Sequence, residues 1–307
     1  MGHDLLVELL ERLRKTERRF EKVRQVEQAW WALPTRDTRE ALDLAAAWLA
    51  AHLERIDARG FVVGVSGGVD SSLAAVLCQQ AAPGRCQALL MPCHSDPDDE
   101  SDGRRLLEAL GMAYRVIPLE ESVQQLLGLA VPEPDSVSPL VRGNLVSRLR
   151  ASLLYLEANR TGSLVVGTGD MDEAYIGYTC KGTTADLFPI TGLHKEEVRT
   201  LLRVALGDLD PSLAERLASR PASPGYWQGQ RAEDELGLGY AQLGAALELL
   251  VQHCDIQEGG AFPRDPEAFV QDLQVRSVPP ADVLRLVDLI AANYHKSFGS
   301  PSLYRSK

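Results

Sequence analysis

What the chain lacks narrows its class. No apolar run approaches the roughly 20 residues that a membrane-spanning helix needs, so no membrane span is expected. The opening MGHDLLVELLERLRK carries charge too early and too often for a secretory leader. Leu6 stands where a myristoylation motif places Ser or Thr, so lipidation is not expected either. The five cysteines, Cys78, Cys86, Cys93, Cys180 and Cys254, form no CxxC pair and no Cys/His metal spacing. An odd, scattered set of this kind points to reduced thiols and a cytoplasmic location. Basic charge is also short, with 32 Lys and Arg against 43 Asp and Glu and a net charge of −11. Such a body repels phosphate backbones, which argues against nucleic acid as the main partner. There is no internal repeat and no low-complexity tract.

What remains is an ordinary globular composition, 45% hydrophobic and 24% charged, over 307 residues. That length buries a sizeable core, as one large α/β domain or one domain with an extension. Residues 4–31 place Leu6, Leu9, Leu10, Leu13, Phe20, Val23, Val26 and Trp30 mostly three or four apart, the period of an amphipathic helix. Pro34 interrupts it, and a second helix is expected over 38–57; both read as packing elements. The pattern then alternates. Strand-like runs at 61–65, 86–92, 114–119 and 163–169 are followed by helices near 71–82, 102–111 and 120–129, with another at 140–160. Short strands alternating with helices predict a parallel sheet covered on both faces. Helices near 194–206, 211–219, 239–252, 265–274 and 279–292 make a helical C-terminal portion. In such sheets ligands bind outside the carboxyl ends of the strands, so SGGVDSS, MPCHS and GTGDMDE are expected on one rim.

The stretch FVVGVSGGVDSS, from Phe61 to Ser72, is the informative one. Gly67 and Gly68 let backbone N–H groups converge on an anion without β-carbons in the way. The helix that follows adds free N–H groups and its positive dipole end, and Ser66, Ser71 and Ser72 add hydroxyl donors. The segment is built for phosphate, yet it is neither the Walker loop nor GxGxxG. Asp70 within it repels phosphate unless a divalent cation intervenes, and oxygen-ligated Mg²⁺ suits that place.

SGGVDSS resembles the pyrophosphate-binding loop of the N-type ATP pyrophosphatases, which cleave ATP between the α and β phosphates and adenylate a substrate. The loop alone leaves NAD, GMP, asparagine and argininosuccinate synthetases open, with the tRNA-modifying lysidine synthetases and thiolases. Two later segments narrow the choice. GTGDMDEAYIGYTCKGTTADLFPITGLHKEEV (167–198) and WQGQRAEDELGLGY (227–240) resemble segments of the NAD synthetases, and NYHKS (293–297) matches their terminal His-Lys pair. The likeness runs from about residue 40 to the end and implies a Rossmann-like fold of the adenine nucleotide alpha-hydrolase type. It divides the chain into an N-terminal helical extension, 1–35, and an NAD synthetase-like domain, 36–307.

The resemblance implies a ligase that makes NAD from nicotinic acid adenine dinucleotide (deamido-NAD), ATP and ammonia, releasing AMP and pyrophosphate. It assigns ATP to Gly64, Val65, Ser66, Gly67, Gly68, Val69, Asp70, Ser71 and Ser72, and beyond the loop to Met91, Thr168, Lys195 and Ser223. Asp70 and Glu173 would ligate Mg²⁺ and, with Lys195, carry the catalysis. Arg148, Lys181, Asp186, His295 and Lys296 match positions that contact the dinucleotide. Asp172, beside Glu173, reads as exposed. The family's homodimer, with the dinucleotide at the subunit interface, is expected here too. The stretch before residue 40 is too short for the amidohydrolase domain of glutamine-using members, so free ammonia, or ammonia from a separate amidotransferase, is the expected donor.

One segment departs from the pattern. KGTTADLFP is shorter than the family's loop and has no acid between Lys181 and Asp186, where the family places one assigned to the ammonia step. A paralogue that amidates a different carboxylate is therefore an alternative reading. An RNA-modifying member and a non-catalytic nucleotide sensor are others. The first of these two would want basic patches or paired cysteines, and the second would not need both Asp70 and Glu173.

Overall fold

The computed structural model describes residues 21–297 except 34, 37, 258 and 259; the side chains of Gln257, His295 and Ser297 also lie outside the description. Of the helix expected at 4–31, residues 21–31 fall within it and are helical (α1). Val23 of α1 is buried, and Glu27 accepts from the Trp48 indole N–H at 3.1 Å. Trp48 belongs to α2 (Arg39–Ile56), which starts on a Thr38 cap and stops at Asp57 in the left-handed region, φ 64°.

Four strands then form one parallel sheet: β1 (Phe61–Gly64), β2 (Cys86–Leu90), β3 (Ala113–Val116) and β4 (Leu164–Val166), in the order β3-β2-β1-β4. The helices between them are α3 (Val69–Ala81), α4 (Pro97–Ala109), α5 (Glu120–Ala130) and α6 (Pro139–Thr161). After β4 come α7 (Met171–Ile176), α8 (Lys195–Leu206) and α9 (Pro211–Ser219). Successive strand side chains point to opposite faces, which sorts the core into two layers. Phe61 and Val63 pack with apolar residues of α2, α3, α8 and α9, while Val62 meets Val123 and Leu127 of α5 and Val146 of α6. Both faces of the expected parallel sheet are thus covered.

A third apolar cluster joins Ile176 of α7 to the C-terminal helices α10 (Ala232–Leu236), α11 (Tyr240–His253) and α13 (Pro280–Ser297). Between the last two lie α12 (Pro266–Val275) and an antiparallel hairpin, β5 (Cys254–Gln257) and β6 (Gly260–Pro263), which the sequence pattern does not announce. All five cysteines are buried and unpaired. Among the described residues no helix is long and apolar enough to cross a membrane.

Two expectations need correction. The helix expected near 102–111 starts earlier, at the acidic run before residue 102, which is the first turn of α4: Asp96 caps it, Pro97 opens it, and Asp98, Asp99 and Glu100 face the positive end of the helix dipole. The strands are also shorter than their apolar runs, because pairing ends where the chain turns into the rim loops. At the β4 edge, Asp186 takes over: its carboxylate accepts the Val165 N–H at 2.7 Å, and its own N–H donates to the Val165 carbonyl at 2.9 Å. Asp186, expected on the dinucleotide, is engaged in closing the sheet edge.

Candidate active site

The carboxyl ends of β1, β2 and β4 open into one cavity of about 570 Å³. Its wall gathers Ser66, Gly68, Val69, Asp70 and Ser71 from the first rim loop, and Thr168 and Glu173 from the third. Gly64, Val65, Met91, Ser223 and Lys296 also line it. Twelve of the expected residues, from five separate stretches of the chain, therefore line one cavity.

Gly67 is the residue on which the first loop depends. Its φ of +83° lies in the left-handed region, and a β-carbon would fall 2.1 Å from the carbonyl oxygen of Asp99. The backbone of α4 thus presses on the loop from behind, and only glycine fits between. Gly67 does not itself reach the cavity wall. The serines divide the labour. Ser66 and Ser71 hydroxyls lie 3.1 Å apart at the wall, whereas Ser72, expected on phosphate, is fully buried and donates to the Gly68 carbonyl at 2.7 Å. Ser72 shapes the loop and does not line the cavity.

Lys195, expected to meet phosphate, is fully buried at the start of α8, with its ammonium enclosed by carboxylates. Nζ lies 2.6 Å from Asp70 Oδ2, 3.0 Å from Glu173 Oε1 and 3.0 Å from Asp170 Oδ2. The first two are aligned hydrogen bonds; the third is a charge contact, since Asp170 Oδ2 has no hydrogen-bond partner. The Tyr240 ring, 4.9 Å away, covers the cation's other side. Burial pushes the Asp170 and Glu173 carboxyls up from their ordinary values. Burial works against the Lys195 ammonium as well, but Asp70, Glu173 and Asp170 outweigh it and hold the lysine well above the usual range.

Asp170 and Asp172 also touch Lys195, although the sequence pattern singles out neither as a site residue. Asp170 caps α7 by accepting the Glu173 N–H at 2.8 Å, which aims the Glu173 side chain. The D-x-x-E spacing of a helix start was the available signal. Asp172 is completely buried, not exposed: its two oxygens take the His194 Nδ1 at 2.7 Å and the Lys195 backbone N–H at 2.9 Å. The pair locks α7 to the first turn of α8, and so fixes where Lys195 begins. Burial opposes a charged His194, but the bond to Asp172 and its charge prevail and raise the imidazole's pKa.

The residues expected on the dinucleotide lie farther out. Arg148 is exposed and donates to the carbonyls of Lys181 and Asn144 at 3.1 and 3.3 Å. Lys181 is exposed beside it, and Lys296 stands at the cavity rim. Thr183 and Thr184 of the shortened loop line the cavity, the former turned to the Cys180 carbonyl at 2.7 Å.

Comparison with known proteins places the chain in a family. The NAD synthase family profile matches residues 42–296. The NH(3)-dependent NAD(+) synthetase of Aeropyrum pernix is 39% identical over 206 residues, 65% of this chain and 70% of that protein. That of Hyperthermus butylicus is 36% identical over 255 residues, 81% and 84%. Among solved structures, NMN synthetase from Francisella tularensis superposes with a TM-score of 0.70 at 25% identity, covering 88% of this chain and 98% of that one. The NH3-dependent NAD synthetase of Campylobacter jejuni, at 22% identity and a TM-score of 0.66, shares the fold over 87% and 99%. A match that begins at the second helix and ends on the terminal lysine of the rim takes in every group around the cavity, and the chain belongs to the NAD synthase family.

Proposed function

We propose that this chain amidates deamido-NAD to NAD with ATP and ammonia, through an acyl-adenylate. The observation that carries the reading is the convergence of the SGGVDSS loop and the acids Asp70 and Glu173 on one cavity, in a chain resembling NH(3)-dependent relatives along most of its length. A carboxylate does not react with ammonia, because oxide is too poor a leaving group. In the proposed first step a carboxylate oxygen bonds to the α-phosphorus of ATP and the bond to pyrophosphate breaks. In the second, ammonia bonds to the acyl carbon, the bond to AMP breaks, and the ammonium nitrogen loses a proton. The loop amides and the start of α3 hold the departing pyrophosphate, so that positioning and charge neutralisation supply the catalysis.

Mg²⁺ fits the acids that this chain offers. Asp70 and Glu173 come from different elements yet share one positive charge, and Asp70 Oδ1 is buried without a partner. No group of three or more His, Cys, Asp or Glu arranged for a metal occurs among the described residues, so substrate phosphates and water would complete the shell, as is usual for this ion. Bound there, it would neutralise charge on the phosphates. Asp170 orients Glu173 for this, and Asp172 fixes Lys195.

The subunit interface is read on α5 and α6. Leu140, Asn144, Arg148, Ser152 and Leu156 follow each other four apart along one outward stripe of α6. Leu140 is 54% and Leu156 63% exposed, and Leu129 at the end of α5 is 86% exposed. A second copy covering this stripe would bring Arg148 and Lys181 to a dinucleotide held between subunits. The chain would act in the cytoplasm, on free ammonia or ammonia from a separate amidotransferase, with residues 1–35 an appendage to the catalytic domain.

A second reading replaces the dinucleotide by the corresponding mononucleotide acid, giving NMN. The likeness to the Francisella NMN synthetase and the short, acid-free loop at 181–186 favour it. Incubation with ATP, Mg²⁺, ammonium and each acid, followed by mass analysis, distinguishes them. NAD and AMP from deamido-NAD support the proposal; amide product from the mononucleotide alone overturns it.

A further inference from the structure

Arg150 has no role in what precedes, and its surroundings call for one. It lies two residues after Arg148 on α6, which on a helix turns it to the opposite side, so that Arg148 faces out and Arg150 lines the cavity. Its Nε donates to the Met91 carbonyl at 3.0 Å, at the end of β2. Of the five N–H donors of a guanidinium this uses one. Among the described residues no carboxylate pairs with it, although burial disfavours its charge and Asp99 and Glu120 act on it only from farther off. The other arginine of the cavity wall, Arg220, is neutralised by Asp99 at 3.1 Å and Asp102 at 2.9 Å. Lys195 has three acids. A half-buried cation without a counter-charge is costly, and a fold that compensates Arg220 and Lys195 leaves this one for an anion that arrives.

The wall around Arg150 is built with care for its position. Ser147, one turn earlier, donates to the Tyr226 hydroxyl at 3.0 Å. Tyr226 packs so tightly on the helix that a β-carbon at Gly143 would fall 2.2 Å from its ring. The sheet order sets the rest. On the rim, β1 with the phosphate loop stands between β2, where Arg150 is fixed, and β4, which leads to Thr168 and Glu173. The β2 side offers the apolar surfaces of Leu89, Met91 and Leu154, suited to a nucleoside. If the terminal phosphates lie on the β1 loop and the nucleoside over β2, the phosphate between them is the one bonded to the nucleoside.

We propose that Arg150 binds the α-phosphate of the nucleotide through its two terminal nitrogens, and keeps hold of it as it passes from pyrophosphate to the substrate carboxylate. This rests on the ATP reading above. A planar fork suits two oxygens of one phosphate, which a lysine ammonium cannot match.

Calorimetric binding of AMP and of inorganic pyrophosphate to the full chain and to R150Q and R150K tests it. R150Q should lose roughly ten- to a hundredfold in AMP affinity, the range for a lost charge-assisted pair of bonds, and keep its pyrophosphate affinity within about twofold. R150K should fall between R150Q and the parent for AMP, again with pyrophosphate unchanged, and it carries the test if R150Q does not fold. Unchanged AMP binding in both variants overturns the assignment, as does an equal loss for both probes, which would mean that Arg150 only ties α6 to β2. A parent protein that bound neither probe would instead overturn the ATP reading itself.

Discussion

Replacing Lys195 by Met removes one positive charge from among three carboxylates and leaves a side chain of similar length. Nζ is 2.6 to 3.0 Å from Asp70, Asp170 and Glu173, and both Lys195 and Asp170 are fully buried. Breaking a buried charge pair by deleting one partner costs about 3–5 kcal/mol, because the remaining charge is left without compensation. For a chain of this size that is on the order of 10 °C in melting temperature. The sign of the pH dependence separates this loss from a packing defect. In the parent, the raised lysine contributes stability that is present below its unfolded pKa and is lost only as pH climbs through its raised folded value. In K195M the buried Asp170 and Glu173 carboxyls, already raised by burial, take up protons instead. A carboxyl whose folded pKa is raised stabilises below its unfolded pKa and loses that contribution as pH rises toward the folded value. The deficit should therefore be largest at neutral pH and shrink toward pH 5. Urea unfolding of both proteins from pH 5 to 8 measures it. A deficit under about 1 kcal/mol, or one that does not change with pH, refutes the account of the cluster.

D172N removes the acid that raises His194, so the imidazole resonances should titrate at lower pH in the variant; His194 stability is present below the unfolded histidine pKa and lost as pH rises through the raised one, so this slope should flatten too. An unchanged titration would contradict the pairing. G67A must place a β-carbon on the Asp99 carbonyl with φ at +83°, so pyrophosphate affinity should fall at least tenfold while secondary structure by circular dichroism is kept; retained affinity would show that the loop is not the phosphate site. L140E with L156E puts like charges on the α6 stripe, and sedimentation should show monomers where the parent shows dimers at micromolar concentration; dimers that persist would place the interface elsewhere.

The sheet was legible in the sequence because strand-length apolar runs alternate with helices, and the rim because SGGVDSS, MPCHS and GTGDMDE each follow such a run. The pair Asp70 and Glu173 was legible through family likeness, and the structure joins them on Lys195. What escaped is of one physical kind, the burial of polar groups. Asp172, Ser72 and Lys195 lie in loops or helix starts, where composition suggests exposure, and only tertiary packing turns them inward. The sequence singles out Arg148 and not Arg150, although two residues on a helix are nearly opposite and only the second lines the cavity. Asp186 resembles a ligand contact, and its bonds to the β4 edge are not legible from that likeness, since they answer the need of backbone groups at a short sheet edge for partners. The β5–β6 hairpin has no alternating pattern strong enough to read before it is seen.

Helix α6 is committed on two opposite sides at once, with Ser147 and Arg150 turned to the cavity and Leu140, Arg148 and Leu156 turned away. Each residue added within it would swing everything downstream by roughly 100°, misdirecting both sides together. Length variation in this rod is therefore confined to steps close to whole turns, and a natural variant with one extra or missing residue between Leu140 and Arg150 should be rare among chains that keep both sides in use.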